Sequence, residues 1–132
     1  MTKFTHDEEQ AFKLAFEFAQ NAGYHAGFNH NPEPMAVYEA DICGQQIGQE
    51  YHVPNGCCGF AWINIKPVNK RFAKWLKETG RASSDSYYGG ITIWICEHGQ
   101  SYERKMKHAR VMASELQSRF PELKIYADGR LD

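Results

Sequence analysis

The sequence predicts an α+β or small α/β single domain, with a β-α-β core, a three- or four-stranded mainly parallel sheet and about three helices. Two β-type runs, 60–66 and 91–96, enclose residues 69–79, where Phe72, Trp75 and Leu76 recur at helical spacing. Longer helical periods lie on either side, near the start of the chain and after the second run. A connection containing a helix is long enough for a parallel crossover, which is nearly always right-handed. At 132 residues the chain fits one domain.

Residues 5–22 read as a helix. Thr5 and Glu8 have capping-box spacing, and Phe12, Ala15, Phe16 and Ala19 form its apolar stripe. Asp7, Glu8 and Glu9 suit the positive end of the helix dipole. Gly23 is the expected stop, with a weak continuation to Gly27 as the alternative. NHNPEP (29–34) is a turn, Met35 to Tyr38 a short strand, and 40–56 a long surface loop in which Asn55-Gly56 makes a tight turn.

In the strand 60–66, Ala61, Ile63 and Ile65 share one face, and Phe60, Trp62, Asn64 and Lys66 the other. Pro67 ends it, helix 69–79 follows to Gly80, and RASSDSYYGG is a loop. In 91–96, Ile91, Ile93 and Ile95 share a face opposite Thr92, Trp94 and Cys96. Ser101 caps a helix over 102–119 whose stripe is Tyr102, Met106, Ala109, Met112, Ala113, Leu116 and Phe120. Leu123 to Ala127 reads as a last strand.

Hydrophobic residues make up 42% and charged residues 23%, the balance of an ordinary globular domain. No apolar run reaches the ~18 residues of a membrane span. The acidic start, MTKFTHDEEQ, lacks the features of a secretory or mitochondrial leader, so a cytoplasmic location is expected. Cys43, Cys57, Cys58 and Cys96 then read as reduced thiols. The net charge of −1 conceals an asymmetry, because 1–60 carries two basic and eight acidic residues and 61–132 thirteen and eight. Such a split suits an anionic partner for the second half or a basic partner for the first, or else two mutually attracting halves.

The stretches AGYHAG and PEPM, then CGFAWINIKP, FAKWLK, SYYGG, GQSYERK and the terminal YADGRLD, resemble a group of short bacteriophage proteins. The resemblance implies a phage-type accessory role in the host cytoplasm, of which anti-defence activity is one form. It implies no activity, and no catalytic residue is carried over from it.

Several constellations bear on function. If the two strands are neighbours, Trp62, Asn64, Lys66, Thr92, Trp94 and Cys96 gather on one sheet face, where tryptophans stack bases and a lysine holds phosphate. The alternative is that the first helix covers this face and the tryptophans are core. Lys66, Lys70, Arg71, Lys74, Lys77 and Arg81 form a basic cluster, and Arg104, Lys105, Lys107 and Arg110 follow the Gly99-Gln100-Ser101 turn. Ser101, Arg104 and His108 thereby suggest an anion site at a helix N-terminus, with a solvated helix face as the plain alternative.

Cys43, His52, Cys57, Cys58, Cys96 and His98 lack zinc-site spacing, so no metal is expected. Pairing of Cys96 with His98, or of Cys57 or Cys58 with His52, would give a small hydrolase. No P-loop, G-x-G-x-x-G or G-x-S-x-G accompanies them, so neither catalysis nor a cofactor is the leading expectation. The expected partner is an anionic small molecule such as a nucleotide, or a nucleic acid. A host defence protein met by the acidic N-terminal half is the alternative, and self-association stays open.

Overall fold

The structure, a computed structural model, describes residues 1–40, 46–54 and 56–132, with side chains of 35–40 and 46–53 left aside. In chain order the elements are α1 (His6–Asn29), β1 (Met35–Ala40), β2 (Gln46–Val53), β3 (Gly59–Lys66), α2 (Arg71–Glu78), β4 (Ser83–Ser84), β5 (Ile91–Trp94), α3 (Tyr102–Arg119) and β6 (Lys124–Leu131). β1 and β2 form an antiparallel pair, and the other four strands form a sheet in the order β4-β5-β3-β6.

The α+β class and the three helices stand, but the mainly parallel sheet does not. Every neighbouring pair in the four-stranded sheet is antiparallel. The reason lies in RASSDSYYGG, expected to be a plain loop. Ser83 and Ser84 form a two-residue edge strand, and the chain reverses over 85–90 before β5 enters beside β3. That one reversal inverts β5, so the parallel partner of β3 is β4, one strand further out. β5 and β6 flank β3 and are likewise parallel to each other without touching. Two interleaved split β-α-β units result, the ferredoxin-like order of elements.

The core lies on the isoleucine side of this sheet. Ile63, Ile65, Ile91, Ile93 and Ile125 meet Phe72, Trp75 and Leu76 of α2 and Met106, Met112 and Leu116 of α3. Phe72 and Phe120 stack with centroids 3.9 Å apart. Phe12 of α1 packs on Phe72, Trp75 and Phe120 at 5.4–6.0 Å. The phenylalanine stripe of α1 therefore covers the helical layer and not the tryptophan face.

α1 has the expected capping box between Thr5 and Glu8 but runs on to Asn29. Ala15, Ala19, Gly23 and Gly27, each four residues apart, are its buried positions. A Cβ on Gly23 would stand 2.5 Å from His108 Cδ2, and one on Gly27 2.7 Å from the Arg104 carbonyl oxygen. Close approach to α3 is what both glycines serve, so neither ends the helix. Within 40–56, expected to be a loop, residues 46–53 form β2, which pairs with β1 by backbone hydrogen bonds. The expected turn at Asn55 and the ligand candidate Cys43 lie outside the described residues.

Candidate functional site

Period-two alternation sends Phe60, Trp62, Asn64 and Lys66 of β3 away from the core. The register places them opposite Arg130, Asp128, Tyr126 and Lys124 of β6, and sets Trp94 and Thr92 of β5 beside Trp62 and Asn64. Among the described residues no helix covers this face. Trp62 is buried, but beneath Trp94 and Tyr88, with centroids 5.2 and 6.3 Å away. Trp94 itself is 51% exposed and Tyr87 85%. Exposed aromatic surface of this kind opposes the hydrophobic effect and marks contact surfaces.

The turn that carries the two tyrosines is built from its own sequence. Asp85 Oδ1 accepts the N–H groups of Tyr87 and Tyr88, both at 2.9 Å, and Oδ2 accepts the Thr92 hydroxyl at 2.8 Å. Those bonds, that of Tyr88 foremost and then that of Thr92, hold the Asp85 pKa below the usual carboxylate value. Gly89 and Gly90 have φ of 76° and 71°, and a Cβ on Gly90 would stand 2.4 Å from the Ile65 carbonyl oxygen. Asn64 Nδ2 donates to the Gly89 carbonyl at 2.9 Å and fastens the turn to the sheet. Asn64 Oδ1 is buried and has no partner among the described residues.

Trp62, Asp85, Tyr87, Tyr88, Trp94, Gly129 and Arg130 line a cavity of about 430 Å³. A volume of that order falls within the range of small-molecule sites. Four of its seven lining residues are aromatic, and Arg130, Lys66 and Lys124 stand on the same face together with the carboxylates of Asp85 and Asp128.

Of the residues singled out from sequence, Trp62, Asn64, Lys66 and Trp94 are brought together here. Thr92 joins them, whereas Lys70, Arg71, Ser101, Arg104 and His108 belong to the helical side. Lys70 is the exposed N-cap of α2. Arg71 is committed to the Glu8 carboxylate and, at 2.8 Å, to the Lys3 carbonyl. The Glu8 bond raises the Arg71 pKa, and the Arg71 hydrogen bond lowers that of Glu8. Ser101 caps α3, its hydroxyl accepting the Arg104 N–H. Arg104 Nη1 donates to the Phe28 carbonyl at 2.8 Å, which ties α3 to the end of α1.

His108 is fully buried in a polar chain between the helices. His108 Nε2–H donates to Gln20 Oε1 at 3.0 Å, so Nδ1 is the acceptor for His98 Nε2–H, also at 3.0 Å. The Gln20 amide passes on to Glu97. Burial pushes the His108 pKa down to about 4, and burial also lowers that of His98. His98 is thus turned to His108, while the Cys96 thiol faces the Trp94 carbonyl at 3.8 Å. Among the described residues no cluster of His, Cys, Asp and Glu has metal-site geometry.

Sequence reasoning passed over Asp85, Tyr87, Tyr88 and Arg130 as parts of a site. The signal was present in D-x-Y-Y-G-G, where an aspartate followed by backbone donors and two glycines spells an Asx-type turn. No family model matches the chain, and neither a curated protein nor a solved structure matches it.

Proposed function

We propose that the protein is a non-enzymatic binding protein that takes up the bases of single-stranded nucleic acid, or of a nucleotide, on its tryptophan face. The observation that carries this reading is the exposed set Trp94, Tyr87 and Tyr88, packed around Trp62 on the two central strands of an open antiparallel sheet. Aromatic side chains on a sheet surface stack unpaired bases, and bordering cations hold the backbone. A small binder of this kind accords with the accessory, phage-type role that the sequence resemblance implies.

The same geometry favours single strands over duplexes, whose bases already stack on one another. The test is tryptophan fluorescence during titration with a single-stranded oligonucleotide and with the matching duplex. Saturable quenching by the single strand, at much lower concentration than by the duplex, is the expected result. Equal affinity for both, or no response to either, would refute the reading. Stacking contributes about 1–3 kcal/mol per base, so Trp94→Ala should weaken binding roughly 5- to 150-fold. The exposed Lys74→Gln of α2 serves as the neutral control.

A further inference from the structure

We propose that Lys105 and Arg130 form a phosphate subsite beside Phe60, so that the face binds a nucleoside phosphate with its base on the aromatic groove. The proposal rests on the reading of that groove as a base platform and adds the group that holds the charge.

Lys105 is only 7% exposed, a rare state for a lysine without an ion-pair partner. Among the described residues no carboxylate pairs with it, and the group facing its ammonium is the Phe60 ring, with Nζ 5.7 Å from the centroid. Arg130 lies opposite Phe60 in the β3–β6 register, and its guanidinium carbon stands 5.4 Å from the same centroid. Arg130 also lines the aromatic groove with Trp62 and Trp94. Both cations therefore stand within 6 Å of the centre of one ring, Arg130 on the groove side, and neither is paired with a carboxylate among the described residues.

Placement on α3 supports the same conclusion. Lys105 is the fourth residue of the helix, near the positive end of its dipole, where a cation works against helix stability. The lysine and the helix terminus both attract an anion, so their unfavourable mutual placement becomes favourable once a phosphate is bound. Arg71 and Arg104, also singled out from sequence, lack this arrangement, since each already has a partner within the chain.

The test is the salt dependence of binding to a single-stranded oligothymidylate, read by tryptophan fluorescence. Each phosphate contact on a single strand contributes about 0.7 to the slope of log affinity against log salt. Arg130→Gln and Lys105→Met should each lower that slope by about 0.7, Lys105→Arg should retain it, and Lys74→Gln should not change it. Thymidine 5′-monophosphate should also displace the oligonucleotide at lower concentration than thymidine. Arg130 is exposed, so its variant remains informative if Lys105→Met fails to fold. Wild-type binding with an unchanged slope in the Arg130 variant, or thymidine competing as well as its monophosphate, would overturn the subsite alone. Absence of wild-type binding would overturn the base platform and the subsite with it.

Discussion

Single residues at the α1–α3 contact decide how closely the two longest helices approach. Alanine is the better helix former than glycine by about 1 kcal/mol, which argues for Gly23→Ala as a stabilising change. The Cβ would meet His108 Cδ2 at 2.5 Å and the His108 carbonyl oxygen at 2.7 Å, and backbone cannot give way there cheaply. Overpacking typically costs about 1–3 kcal/mol, so the clash outweighs the propensity. Gly23→Ala should therefore lower the melting temperature by several degrees, measurable by circular dichroism.

His108 makes a second prediction at this scale. Its folded pKa, about 4, lies below the ordinary value of 6.5, so between these pH values the unfolded chain binds the extra proton. Stability is fully present above pH ~6.5 and falls as the pH drops toward 4, by up to about 3 kcal/mol if His108 alone is counted. Urea unfolding at pH 7.5 and pH 4.5 should show this loss, and His108→Gln should reduce it. Glu97 and His98 belong to the same chain of contacts, so the variant reports the pair of histidines and not one isolated ring.

At the scale of elements, the 85–90 turn and the edge strand β6 stand out. Asp85 accepts three of the hydrogen bonds that hold Tyr87 and Tyr88 over the groove. Asp85→Ala should weaken oligonucleotide binding although α1, α2 and α3 keep their packing. Unchanged far-ultraviolet circular dichroism with several-fold weaker binding is the expected pair of readings. β6 borders the sheet, where a long free edge invites pairing with other chains. Gln117 of α3 blunts part of it, with Oε1 accepting the Ile125 N–H at 2.9 Å and Nε2 donating to the Leu123 carbonyl at 2.7 Å.

Across the whole molecule, what was legible in the sequence was whatever local periodicity encodes. The isoleucine faces, the stripe of α3 and the Thr5–Glu8 cap emerge as read. Strand direction was not legible, because it depends on Ser83–Ser84, two residues too few to show a period. The length of α1 was hidden for another reason, since Gly23 and Gly27 are explained only by α3, far along the chain. Half of the site was legible as the alternation of Trp62, Asn64 and Lys66 with Trp94 alongside. The tyrosine turn needed tertiary contacts to Thr92 and Asn64. Lys105 was hidden among surface cations, although it precedes Ala109, Met112 and Leu116 at i+4, i+7 and i+11 on the buried face of α3.

One face of the sheet carries the proposed binding, and the three tryptophans distinguish that face from the core. Trp62 and Trp94 belong to the groove, whereas Trp75 lies in the core against Phe72 and Phe12. The most direct measurement follows the three indole N–H signals by nitrogen-15 correlation spectroscopy during titration with a single-stranded oligonucleotide. Saturable shifts of the Trp62 and Trp94 signals are the expected result, while that of Trp75 stays in place. A shift confined to the Trp75 signal, or no shift of either groove tryptophan at saturating oligonucleotide, would contradict it.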